Sequence, residues 1–150
     1  MIRYRHTQFG WVTTIASLSG AIGLFVFTKY LGAPRAVIVA AFVLILPLLL
    51  FFCLTTEVTE TTFAFSFGIG WIHKTILRSE IAVCRVVTNP WWYGWGIHKT
   101  PRGWLYNVSG PLAVEIDLTD GQRLRVGTDE PEALCSALRP AVTPAHGRSY

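Results

Sequence analysis

Two uncharged apolar runs, set a short turn apart, constrain this chain more than any other feature. Residues 9–28 and 36–54 contain no Asp, Glu, Lys, Arg or His, and only Lys29-Tyr30-Leu31-Gly32-Ala33-Pro34-Arg35 lies between them. A hydrocarbon core of ~30 Å takes about 20 helical residues to cross. The pattern predicts a two-helix transmembrane hairpin within residues 1–56, followed by a soluble domain. The first run is too long for the apolar stretch of a cleaved signal peptide, and a second run follows at once.

Charge sorts the same way. All nine acidic residues lie at Glu57 or later, with nine of the thirteen basic ones, so the net charge of +4 comes from Arg3, Arg5, Lys29 and Arg35 beside the spans. That is a topology signal rather than a nucleic-acid surface, and nucleic-acid binding is excluded on it. Basic residues ahead of the first span predict a cytoplasmic N-terminus, and two crossings return the C-terminus to the cytoplasm. Spans without ionisable groups argue against a proton or ion path.

Within the first span, Ala16/Gly20 and Ser19/Gly23 are small-xxx-small pairs, where helix backbones approach closely. They predict packing against the chain's own second span, with docking of another membrane protein as the alternative. Pro34 suits a helix start. Pro47, inside the second span, removes a hydrogen bond and predicts a kink. Cys53 falls within that span. With Cys84 and Cys135 it makes an odd, widely spaced set that implies neither a disulfide framework nor a metal site.

Beyond residue 56 the period changes to two. Phe63, Phe65 and Phe67 alternate with Ala64 and Ser66, placing three rings on one strand face. Further strands are expected at 71–77, 81–88, 95–99, 103–108, 112–118 and 123–126, about seven in all. For the last pair, Val114, Ile116 and Leu118 must share the core with Leu124 and Val126. Only a three-residue loop, Thr119-Asp120-Gly121 with Gly121 left-handed, allows that register. It sets Asp117 opposite Arg123 and Glu115 opposite Arg125 on a wet face. Asp129-Glu130-Pro131-Glu132 reads as a helix start capped by Asp129. Leu134 and Leu138 share one face of that helix, and residues 140–150 read as a loose tail. Antiparallel strands with one closing helix make an α+β arrangement.

The densest unusual segment is Asn89-Pro90-Trp91-Trp92-Tyr93-Gly94-Trp95-Gly96. Its rings either fill the open end of a small barrel or form an exposed loop that meets the membrane interface or a partner. Lys99 and Arg102 follow, suited to lipid headgroups or an acidic partner. His6, His73, His98 and His146 show no ligand spacing, although His73 and His98 could meet across strands. With no nucleophile elbow, phosphate loop or carboxylate pair, the chain is not expected to be an enzyme, and no catalytic residue, cofactor or metal is assigned. Asn107-Val108-Ser109 matches a glycosylation sequon, which has no meaning in a cytoplasmic domain.

Tyr93-Gly94-Trp95-Gly96-Ile97-His98, Thr100-Pro101-Arg102-Gly103-Trp104-Leu105-Tyr106-Asn107-Val108-Ser109-Gly110, and the Asp120-Gly121 hairpin leading into Gly127-Thr128-Asp129-Glu130-Pro131 resemble bacterial pleckstrin-homology-like (bPH) membrane proteins. The resemblance covers about residues 57–139. It implies a bent antiparallel barrel or sandwich closed by a C-terminal helix, carried by two spans in the bacterial inner membrane. The family has no established common activity, and its members are regarded as membrane-anchored interaction or assembly modules. Eukaryotic relatives of the fold bind phosphoinositides through a basic strand-loop motif, for which Lys74 and Arg78 are too sparse here. The expectation is a non-enzymatic module at the cytoplasmic membrane face that binds a membrane protein or complex, with a lipid-surface sensor as the first alternative and a membrane enzyme with no recognisable site as the second.

Overall fold

Both long helices grow directly out of one sheet. In the computed structural model, which describes residues 1–31 and 34–139, β1 (Ile2–Phe9) leads into α1 (Trp11–Leu31). Then α2 (Pro34–Phe51) leads into β2 (Cys53–Thr59). β1 and β2 are antiparallel neighbours, with Phe9 opposite Cys53. The helical hairpin therefore occupies the place of a β-hairpin turn. The expected tail, 140–150, and the centre of the interhelical turn lie outside the described residues.

From sequence alone, residues 1–8 are a charged flank and Cys53 is part of a span. Here the structure differs. Arg5 stands opposite Glu57 in the sheet, its Nε 3.7 Å from a Glu57 carboxylate oxygen. Cys53 is the first residue of β2. The apolar run through Phe51, Phe52 and Leu54 hides the change from helix to strand, because a buried strand end is as apolar as a helix end.

Within the hairpin, Thr13, Ser17, Gly20, Leu24 and Thr28 form the less exposed stripe of α1, at three- and four-residue steps. A Cβ on Gly20 would stand 2.6 Å from Leu44 Cδ2 of α2, so that glycine is a helix-contact residue. Ala16 lines a groove with Val43 and Leu44 of α2, while Ser19 and Gly23 lie off the contact. Ala16 and Ser19 are exposed, and a Cβ on Gly23 would have nothing within 4 Å. The packing stripe runs through Ser17 and Gly20, which turns Ser19 and Gly23 outward. α2 continues through Pro47 to Phe51. Ile15, Leu18, Ile22 and Phe25 of α1 are exposed, as are Phe42, Val43, Leu46 and Leu49 of α2. Trp11–Tyr30 is long and apolar enough to cross a membrane by length and composition, with a mean hydropathy of 1.6; the apolar stretch Val39–Phe51 is shorter.

Among the described residues there are nine strands, the seven expected with β1 and β2 added, and they form two sheets rather than a closed barrel. β1, β2, β3 (Thr62–Phe67) and β4 (Ile72–Leu77) make a four-stranded antiparallel sheet in sequence order. β5 (Ile81–Thr88), β6 (Gly96–Thr100), β7 (Gly103–Asn107), β8 (Leu112–Leu118) and β9 (Arg123–Gly127) make the second, in the order β5-β8-β9-β7-β6. One pair, β7 with β9, is parallel, against the all-antiparallel expectation. The chain reaches β8 from β7 through the buried Asn107 turn, and β8 and β9 then insert between β5 and β7.

The core lies between the sheets. Phe63, Phe65 and Phe67 are buried from one side, and Val114, Ile116, Leu124 and Val126 from the other. α3 (Pro131–Leu138) covers one end, with Leu134 and Leu138 inward. Cys84 of β5 meets α3 there, and burial, with Cys135 beside it, pushes the Cys84 thiol upward, away from the reactive thiolate.

The hairpin loop at 119–121 has the expected register, with Glu115 opposite Arg125, Asp117 opposite Arg123, and Gly121 at φ 85°. The start of α3 differs. Its first residue is Pro131 and Glu130 precedes it without a side-chain cap. Asp129 instead meets His6 Nε2 at 2.6 Å, and Glu130 accepts from the Tyr4 hydroxyl at 3.2 Å. A strand absent from the expected fold takes up both acidic side chains.

Arg78 fixes the far end of α3. Its guanidinium donates to the carbonyls of Ala137, Leu138 and Arg139, and to Glu60 in the β2–β3 turn. A helix C-terminus leaves four carbonyls without partners, and a forked cation satisfies several at once. Lys74 lies over the Tyr106 ring, 5.9 Å from its centroid. Both basic residues nearest a phosphoinositide motif are thus engaged within the fold.

Candidate functional site

The aromatic segment folds across the outer face of the second sheet. Asn89 stops β5, its backbone N–H donating to Pro111 O at 2.7 Å. Trp91–Tyr93 then form one 3-10 turn, closed by Gly94 N–H to Trp91 O at 3.1 Å. This cover explains a charge pair that the sequence places on a wet face. Glu115 and Arg125 are 5% and 2% exposed. Arg125 Nε and Nη2 reach Glu115 Oε2 at 2.8 and 2.6 Å. Arg125 Nη1 donates to Asn89 Oδ1 at 2.8 Å, and the Tyr93 ring lies 5.9 Å from the guanidinium carbon. Around this buried pair, Arg85 and Arg123 bind Asp117 at the sheet surface.

Tyr93 is half-buried over Arg125, whereas Trp91 and Trp92 are 82% and 68% exposed. Trp95 is partly exposed and lines an apolar groove with Val12, Ala16, Val43, Leu44 and Pro47, at the sheet end of the helical hairpin. The segment does not fill a barrel mouth; Trp95 stands beside the roots of the two helices, while Trp92 and Tyr93 lie over the second sheet. Other exposed apolar side chains share that level. Trp11 opens α1 and packs edge-on against Phe9 at 4.8 Å. The β3–β4 turn abuts α2 through Ile69 N–H to Leu49 O at 3.3 Å, and Ile69 and Trp71 are exposed on it. Gly68, at φ 50°, is required there, since a Cβ would overlap the Leu49 carbonyl oxygen.

The two basic residues separate. Arg102 joins Thr88, Pro90, Trp92, Tyr93 and Arg125 around one depression. Lys99, exposed on β6, faces Trp104 across the β6–β7 pair instead. Neither makes an ion pair among the described residues. His73 pairs with Ser66 in the first sheet and His98 with Leu105 in the second, so they do not meet. Asn107 is 1% exposed; its Nδ2 donates to Gly110 O at 2.9 Å and its Oδ1 accepts from Ser109 N–H at 3.2 Å. The sequon is a buried turn. Among the described residues no three His, Cys, Asp or Glu side chains gather to hold a metal.

Sequence reasoning missed Ile69 and Trp71, which the β3–β4 turn brings to the end of α2. It also missed the role of Asn89 under Arg125. The spacing Asn89–Pro90 was legible only as a strand stop. No protein-family model matches the chain, and no curated protein matches its sequence.

Proposed function

We propose that this chain is a non-enzymatic, membrane-anchored interaction module. α1 and α2 cross the bilayer as a hairpin and hold the two-sheet domain, read as pleckstrin-homology-like, against the cytoplasmic face of a bacterial inner membrane. There it binds a membrane protein or complex. The observation that carries the reading is the pairing of β1 with β2 across the hairpin root. Strands that pair in one sheet keep both helix roots on one membrane face, so the helices enter and return.

No linker separates anchor from domain, since Gly10 N–H donates to Phe52 O at 2.7 Å where both helices begin and end. That restricts the domain to a thin layer over the bilayer, raising its effective concentration for neighbours there. The exposed aromatic side chains at the roots suit the headgroup level, where Trp and Tyr present an apolar body and a polar tip. Exposed helix sides rich in Leu, Ile and Phe suit lipid.

Purification of the full-length chain in mild detergent tests the partner reading. A membrane protein should co-purify in fixed ratio, and the Trp92→Ala variant should lose it. Repeated recovery of the chain alone overturns partner binding. The alternative, a lipid-surface sensor, is favoured by the exposure of Trp91 and Trp92. It predicts that Trp92→Ala changes the response to anionic vesicles while leaving any co-purifying protein in place.

A further inference from the structure

We infer that the open edge of β6 is where the partner docks, and that it takes an extended, acidic segment of that protein as an added strand. The inference rests on the interaction reading above and names the chemistry of the partner.

The second sheet is wider than the first, five strands against four, and β6 is its last strand, paired with β7 alone among the described residues. Two rows of neighbouring side chains on its inner face run from the core to that edge. One passes Val126, Tyr106 and Ile97, the other Leu124, Trp104 and Lys99. Both rows start buried. Tyr106 and Ile97 are half-buried, Trp104 is 44% exposed and Lys99 is exposed. The first sheet covers the rows as far as Tyr106, where Phe65 packs at 4.8 Å and Lys74 of the edge strand β4 lies over the ring. Beyond that ring β6 overhangs, with an apolar ledge beside it.

An edge strand presents a row of unpaired N–H and C=O groups, and an extended segment can pair with them. Charge selects which segment. The ionisable residues of β6 and its turn into β7 are His98, Lys99 and Arg102, all basic, and residues 81–114 contain no Asp or Glu. Lys74 and Lys99, on the inner face, make no ion pair among the described residues. Two copies joined edge to edge would set like charges together, which is unfavourable. An acidic strand meets the opposite balance. Register then fixes its pattern, because directly opposed residues share a face and the side-chain period is two. The added strand places an apolar side chain beside Ile97 and, two residues along, Asp or Glu beside Lys99.

The test uses the full-length protein in mild detergent and dye-labelled peptides read by fluorescence anisotropy. The probe is acetyl-Thr-Val-Thr-Glu-Thr-Val-Thr-Glu-Thr-amide. One control carries Lys in place of Glu. The other is methylated at every backbone nitrogen, which keeps the side chains and abolishes strand pairing. The acidic peptide should bind, and each control should bind at least about tenfold more weakly. Lys99→Glu, at an exposed position, should reverse the preference toward the Lys peptide. Equal binding of the acidic and Lys peptides overturns the charge selection, equal binding of the methylated form overturns strand addition, and binding of none overturns the edge site. Displacement of the peptide by phosphatidylglycerol but not phosphatidylcholine assigns the edge to lipid instead, and dimers that form without peptide and block it assign the edge to a second copy; either overturns the protein partner. A protein that co-purifies equally with the parent chain and with Lys99→Glu overturns the edge site while leaving the interaction module standing.

Discussion

The backbone N–H of Gly10 donates to the carbonyl of Phe52 at 2.7 Å, joining the start of one helix to the end of the other. The contact is close enough that a Cβ on Gly10 would overlap the carbonyl oxygen of Phe51. Helices and sheet are therefore in direct backbone contact at their common root.

Gly10→Val should force that root apart. Overpacking of this kind costs about 1–3 kcal/mol. The expected result is a lower unfolding temperature in detergent, together with faster amide exchange at 53–56. Unchanged exchange there would mean that the root tolerates opening.

The Glu115–Arg125 pair gives a second prediction. Leaving one buried charge alone costs about 3–5 kcal/mol, while replacing both partners with apolar residues is often close to neutral. Arg125→Met should thus be severely destabilising and the Glu115→Leu/Arg125→Met double variant much less so. Chemical denaturation of all four members of the cycle measures the coupling. Additive losses would show that the aromatic turn does not desolvate the pair.

Arg78→Lys keeps the charge and loses the fork. The α3 carbonyls that Arg78 holds should lose most of their bonds. Amide exchange at the end of α3 should accelerate about tenfold for each ~1.4 kcal/mol lost. Equal protection in both proteins would remove the clamp.

Alkaline stability depends on Tyr4. Burial, then the charge of Glu130 that accepts its hydroxyl, raises its pKa from 10.0 to about 12. The unfolded phenol ionises first, so this contribution is full below pH 10 and is lost as pH rises to about 12. Over that window the Tyr4→Phe variant should lose less stability than the parent protein. Parallel pH profiles would show that Tyr4 is not protected from ionisation.

The alternation of Phe63, Phe65 and Phe67 and the Thr119-Asp120-Gly121 loop were legible because each rests on local register alone. β1 was not, since Arg3 and Arg5 carry the same signal in a strand as beside a span. β2 was obscured by an apolar run that continues from helix into strand. The buried state of Glu115 and Arg125 depends on residues 89–95 folding back over β8 and β9, a contact between segments distant in sequence. The aromatic turn itself stood out from composition, but the place of Trp95 against Val12 and Pro47 depends on where the helices root.

Paired cysteine labelling tests the central claim most directly. In a background with Cys53, Cys84 and Cys135 replaced by Ala, Gly32→Cys and Ser79→Cys are each exposed to a membrane-impermeant maleimide on spheroplasts. The hairpin account predicts that Gly32→Cys labels on intact spheroplasts and Ser79→Cys only after lysis. Labelling of both positions from the same side would contradict it.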